Sequence, residues 1–143
     1  MLLGAHEHTI DDKNRLTLPA KFRQAFADGV VLTRGMDGCL YAYPRLQWER
    51  RADTIGSLDD LSPEGRVMKR FFFSGAAVDE PDKQGRIAVP PTLSRHAGLS
   101  RDVVVAGVYD HLEIWDRDSW EKQMRQVEGS VEDVARRLAS TGD

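Results

Sequence analysis

The nine residues Asp11-Asp12-Lys13-Asn14-Arg15-Leu16-Thr17-Leu18-Pro19 return 71 positions later as Asp82-Lys83-Gln84-Gly85-Arg86-Ile87-Ala88-Val89-Pro90. Further along, Gly35, Leu40, Tyr43, Trp48 and Glu49 recur as Gly107, Leu112, Trp115, Trp120 and Glu121, now at an offset of 72. An echo that keeps its order, with glycines and aromatic residues in step, marks two tandem copies of one unit. The repeated unit itself takes about fifty residues of short strands and helices in each copy, too few for a comfortable core of its own. The copies should therefore pack on each other about a pseudo-twofold axis, and units of this kind complete their sheets by interleaving strands with a partner unit.

Local signals follow the same sequence in each copy. Residues 5–10 and 15–18 flank the turn-prone Asp11 to Asn14 and read as a β-hairpin, and Asp82 to Gly85 form the same turn in the second copy. Asn14 and Gly85 hold equivalent places, and both residue types tolerate left-handed backbone. Pro19 and Pro90 end the strands and open short helices over about 20–27 and 91–97, which Gly29 and Gly98 stop. A second strand pair follows in each copy, residues 30–34 with 39–43 and 103–106 with 112–115, and then helices carrying Trp48 and Trp120. Ser62 as N-cap and Pro63 at the first helical position predict a connecting helix ending near Gly75. Ser130 with Asp133 three residues on predicts the start of a separate last helix, with Val131, Val134, Ala135 and Leu138 on one face, and residues 140–143 are expected to fray. The expected class is α+β, with a first unit over 5–50, a connecting helical segment over 51–75, a second unit over 76–122 and a helical tail over 123–143.

Composition excludes several functions. Lone Cys39 forms no internal disulfide and, without Cys or His partners at ligand spacing, anchors no zinc site. His6 and His8 alternate on a strand but have no evident third ligand, so no metal is expected. Gly-rich phosphate loops, Gly-x-Ser-x-Gly elbows and a nucleophile with a recognisable base are absent from the sequence; neither an enzyme nor a cofactor is expected. No apolar run approaches the ~18–20 residues of a membrane span, which leaves a cytoplasmic protein as the expectation. Phe71-Phe72-Phe73 fits a core or a subunit interface, and Trp48, Trp115 and Trp120 fit packing roles.

The formal net charge of -3 speaks against a nucleic-acid partner until it is resolved along the chain. Residues 13–23 carry Lys13, Arg15, Lys21 and Arg23 with no acid, and residues 83–96 carry Lys83, Arg86, Arg95 and His96, again with none. Residues 110–143 hold nine acids against five Lys or Arg. Basic charge thus gathers at the duplicated turns, where arginine can pair with guanine in a major groove and lysine with phosphate. The plainer reading is that Asp11 with Arg15, and Asp82 with Arg86, only close their own turns on an ordinary solvated basic face. Exposed pairs of that sort contribute about 0–1 kcal/mol. A second functional class is an oligomeric assembly factor whose basic faces dock an acidic protein.

Asp-x-x-x-Arg followed four residues later by Pro, occurring twice, resembles the MraZ family, whose units are similar to the swapped-hairpin AbrB-type DNA-binding domain. Leu40-Tyr41-Ala42-Tyr43-Pro44 with Trp48-Glu49, and His96-Ala97-Gly98-Leu99 with Glu113-Ile114-Trp115-Asp116 and Trp120, extend the resemblance to about residue 125. It implies a bacterial transcriptional regulator, a repressor of its own division and cell-wall gene cluster, associated with the nucleoid. The implied partners are double-stranded DNA with repeated promoter elements and further copies of the chain in a ring. Arg15 and Arg86 take the motif-arginine role, Lys13, Lys83, Arg23 and Arg95 join them as DNA-binding residues, and Asp11 and Asp82 orient the turns. Arg23 lies four residues after Pro19, but Ser94 occupies the matching place in the second copy and Arg95 is one further on, so the copies depart from each other there.

Overall fold

Two β-rich stretches, Val30-Val31-Leu32-Thr33 and Val103-Val104-Val105, supply two interior strands, because branched side chains suit a pleated surface buried on both faces. The computed structural model describes residues 1–141. Its strands are β1 (Leu2–Thr9), β2 (Arg15–Thr17), β3 (Val30–Arg34), β4 (Leu40–Pro44), β5 (Ala77–Asp79), β6 (Arg86–Ala88), β7 (Asp102–Tyr109) and β8 (Leu112–Asp116). The α-helices are α1 (Arg45–Gly56), α2 (Pro63–Phe73), α3 (Pro91–His96) and α4 (Arg117–Thr141), and Ala20–Phe26 forms a 3-10 helix. Gly29 and Gly98 stop the short helices with positive φ of 121° and 57°.

Six strands make one antiparallel sheet in the order β1, β7, β8, β4, β3, β5, and β2 pairs with β6 in a separate ribbon. The order is a palindrome in the repeat, since β1, β3 and β4 correspond to β5, β7 and β8. Two pairs locate the pseudo-twofold axis. Tyr41 faces Glu113 and Leu16 faces Ile87, each residue opposite its own repeat equivalent. The fold is therefore α+β, built from two tandem units with interleaved strands.

The expected hairpins are corrected by this exchange. The arms on either side of the first turn share only the bridge between Ile10 and Leu16, after which β1 joins β7 and β2 joins β6. Strand length explains the choice: eight residues of β1 match eight of β7 in full register, whereas β2 offers three. Pairing β2 with β6 also buries Leu16 and Ile87 together at 0% exposure. They join Leu18, Phe22, Phe26, Val30, Leu32, Val89, Leu93, Val103, Val105 and Ile114 in a core to which both repeats contribute.

The other face of the sheet is covered in the first repeat by α1 and α2. Ser62 caps α2, its Oγ accepting from Gly65 N at 3.2 Å. Thr33 Oγ1 donates to Phe72 O at 2.6 Å and Arg34 Nη1 to Phe71 O at 2.9 Å, which ties the end of α2 to β3. Phe72 is buried against Tyr41, and Phe73 packs edge-on against Trp48. The second repeat differs, and here a second expectation is corrected: α4 is one helix through Thr141, with no new start at Ser130. Ser130 Oγ donates to Gln126 O at 2.8 Å, a back-bond within the helix instead of a cap. Of the tail expected to fray, Ser140 and Thr141 are helical, and Gly142 and Asp143 lie outside the described residues. No helix among the described residues is long and apolar enough to cross a membrane.

Candidate nucleic-acid interface

Each turn is organised by its aspartate. Asp11 Oδ1 accepts from the amides of Lys13 and Arg15, both at 2.9 Å, and Asp11 N donates to Arg15 O at 3.0 Å. Asp82 does the same with the amides of Gln84 and Arg86 at 2.9 Å, and its own amide reaches Arg86 O at 3.0 Å. The second carboxylate oxygen takes the arginine: Arg15 Nε donates to Asp11 Oδ2 at 2.9 Å and Arg86 Nε to Asp82 Oδ2 at 2.7 Å. Both carboxyls are held below the ordinary aspartate range, chiefly by the backbone amide of Arg15 or Arg86, which outweighs the opposing effect of desolvation and is reinforced by the arginine side chain. Only Nε of each guanidinium is engaged among the described residues, so the Nη pair, which can fit a guanine edge, makes no hydrogen bond to the aspartate.

The ribbon brings the two turns together. Alternation along β2 and β6 sends Leu16 and Ile87 into the core and Arg15, Thr17, Arg86 and Ala88 to the opposite face. Arg15 faces Ala88 and Arg86 faces Thr17, which makes the two arginines diagonal neighbours at a backbone separation of about 7–8 Å. Backbone bonds lock each turn to the other copy: Leu18 N donates to Gly85 O at 2.8 Å and Val89 N to Asn14 O at 2.9 Å. Lys13 and Lys83 sit exposed in the turns themselves.

Arg23 belongs to the same surface through the second turn. Its Nε donates to Leu18 O at 3.1 Å, and its side chain lies across Gly85, where an added Cβ would come within 2.4 Å of Nε. Gly85 has φ 77° and Asn14 φ 57°, so both turns need left-handed backbone, and at the second Arg23 leaves no room for a Cβ. The repeat counterpart of Arg23 is the shorter Ser94. Burial, then His6 and Arg23, push the neighbouring His8 imidazole below its ordinary value. Arg95 is exposed on α3, and no side-chain hydrogen bond ties it to the turns among the described residues.

Arg101 is a basic residue at this surface that sequence reasoning missed. It lines a depression with Ile10, Asp11, Asp12 and Asn14, and its carbonyl accepts from Ile10 N at 2.8 Å. Only the pairing of β1 with β7 brings it there. His6 packs edge-on against Phe22 with centroids 5.5 Å apart, and among the described residues no three metal-ligating side chains converge. His96, counted in the basic stretch, contacts Gly35 O at 3.3 Å and the edge of Phe71, which places it in packing.

Two interleaved half-domains that present twin Asp–Arg turns on a shared ribbon define a tandem swapped-hairpin protein of the AbrB-like type. The family model described as "MraZ protein, putative antitoxin-like" matches the chain twice, over residues 1–71 and 72–141. The chain is 44% identical over 138 residues to the transcriptional regulator MraZ of Pelotomaculum thermopropionicum, covering 96% of this chain and 95% of that protein. It is 44% identical over 140 residues to the protein of the same name in Thermomicrobium roseum, covering 98% and 99%, and 46% identical over 120 residues to that of Limosilactobacillus fermentum, covering 84% of each. The chain belongs to the MraZ family.

Proposed function

We propose that this protein is a transcriptional regulator that binds double-stranded DNA sequence-specifically, with the β2–β6 ribbon entering the major groove. The observation that carries this reading is the pair of Asp–Arg turns, alike in geometry and joined on one outward face. Arg15 and Arg86 read base edges through their outer nitrogens, while Lys13, Lys83, Arg23 and Arg95 contact phosphate. Asp11 and Asp82 hold each arginine extended before DNA arrives, which lowers the ordering cost of binding. The names of the relatives support regulation of transcription, and the family resemblance supports a repressor of its own division and cell-wall gene cluster that acts at the nucleoid. Binding to repeated promoter elements by a ring-shaped oligomer would multiply weak single contacts, since linked sites raise avidity by ~10²–10⁴.

Fluorescence anisotropy on DNA from upstream of the protein's own gene, beside scrambled DNA of equal length, tests this. Upstream DNA should bind at least about tenfold more tightly, and four phosphate contacts per engaged chain give a slope of about −3.6 in log K against log salt. Equal affinity for both DNAs contradicts the proposal, and tight docking of an acidic protein in place of DNA would favour the assembly-factor reading.

A further inference from the structure

Strand β1 runs into the first turn through the bridge between Ile10 and Leu16, and its side chains alternate on the way. Glu7 and Thr9 lie on one face, and Gly4, His6 and His8 on the other. The 3-10 helix Ala20–Phe26 crosses that second face. Lys21 Nζ would lie 3.3 Å from a Cβ at Gly4, and Phe22 meets His6 edge-on with centroids 5.5 Å apart. The same progression brings Arg23 beside His8. Since Arg23 donates to Leu18 O and lies across Gly85, His8 borders the second turn at the DNA-facing surface.

The charged groups around His8 are basic or already paired. His6 lies on its own strand, Lys21 and Arg23 on the short helix, and β7 presents only Val103 and Val105 opposite His8 and His6. The second turn brings Lys83, and Asp82, whose carboxylate is held by Arg86. None of His6, His8, Lys21 and Arg23 forms an ion pair among the described residues. Burial, then His6 and Arg23, keep His8 below its ordinary 6.5, so less than about a tenth of it is charged at about pH 7.5. The other repeat differs here, because a shift of 71 carries His8 onto Asp79. Asp79 Oδ2 accepts from Ala88 N at 2.8 Å, whereas no hydrogen bond holds the partly exposed His8 imidazole among the described residues. One flank of the ribbon thus carries a fixed carboxylate that repels phosphate, and the other an imidazole beside an unpaired arginine.

We propose that His8 and Arg23 together hold one phosphate of the DNA backbone on the flank of the second turn, with His8 bound to it as the imidazolium. This rests on the DNA-binding reading given above and adds a proton to it. A phosphate beside His8 favours the charged ring, so the site takes up one proton from solvent as DNA binds. By linkage, affinity rises as pH falls through the value His8 has in the complex, and it levels off below the lower value of the free protein. Arg23 stays charged throughout, so it anchors the phosphate at every pH while His8 adds its contact only in the acid range.

Anisotropy titrations of the full chain on the upstream DNA at about pH 7.5 and about pH 5.5, each over a range of salt, test it. Wild type should bind about 3- to 30-fold more tightly at the lower pH, since one linked proton gives at most about tenfold per pH unit. Its slope of log K against log salt should steepen by about 0.9 there, the mark of one more phosphate contact. His8→Gln should lose both changes and His6→Gln should keep them, with circular dichroism at each pH as the check on folding. In wild type, NMR of the His8 ring proton on Cε1 should show its titration moved to higher pH by DNA. Both changes persisting in His8→Gln, or a His8 ring that titrates alike with and without DNA, overturns the proposal. Absence of DNA binding at either pH sinks the DNA-binding reading and this inference with it, whereas specific binding that is blind to pH and to His8 sinks this inference alone.

Discussion

At its turn the first repeat holds Arg15 Nε 2.9 Å from Asp11 Oδ2, and the second holds Arg86 Nε 2.7 Å from Asp82 Oδ2, with the same amides bound to the other carboxylate oxygen. Beyond the second strand pair the likeness ends. There α1 stops at Gly56 and α2 folds back over the sheet, while α4 runs to Thr141 without turning. The parts that sit on the pseudo-twofold axis must fit themselves, since Leu16 meets Ile87 and Tyr41 meets Glu113. The parts far from the axis meet no such constraint. Duplicated geometry therefore belongs to the ribbon where the two turns meet, and the helices far from it are free to diverge.

The likeness at the ribbon has a large energetic consequence. Leu16 and Ile87 share one buried contact layer, so Leu16→Ala or Ile87→Ala should each destabilise the whole chain by about 2–5 kcal/mol in urea unfolding, as a single transition. Separate melting of one repeat would show that the copies fold independently. A smaller effect tests the one steric difference between the turns. Gly85→Ala must place a Cβ at φ 77° and displace Arg23, at a cost of about 1–2 kcal/mol in thermal unfolding, whereas Asn14→Gly should change stability by less than about 0.5 kcal/mol. Equal losses at the two positions would remove Arg23 from the second turn.

The smallest effect is in acid. Asp11 and Asp82 have folded-state values below their unfolded ones, so the stability they add is complete above the unfolded carboxyl value of about 4 and is lost as pH falls through the lower folded value. Asp11→Asn with Asp82→Asn should lower Tm at neutral pH and flatten its decline below about pH 4. A double variant whose Tm falls in acid as steeply as wild type would show that the carboxylates do not organise the turns.

Much of this was legible before any coordinates. The repeated Asp-x-x-x-Arg marked the turns, Asn14 and Gly85 marked their left-handed residues, and Ser62-Pro63 marked the start of α2. Strand partners were not legible, because alternation in a three-residue strand says that Leu16 is buried but not which strand lies beside it. Ser130 and Asp133 resemble a helix start, yet a helix already running from Arg117 leaves no open amides there to cap, and Gly129 costs only about 1 kcal/mol in its interior. Arg23 was legible as a basic residue, but its place over Gly85 follows from the exchange of strands, as does that of Arg101 beside Ile10.

On the proposed function, Arg15 and Arg86 form one DNA-reading face. Anisotropy titration of Arg15→Ala, Arg86→Ala and the double variant on the upstream DNA, with light scattering to confirm an unchanged assembly, tests it most directly. Each single variant should lose about 1–3 kcal/mol of specific binding, roughly 5- to 150-fold, and the double variant should bind upstream and scrambled DNA alike. Wild-type affinity in the double variant, at unchanged mass, would contradict the account.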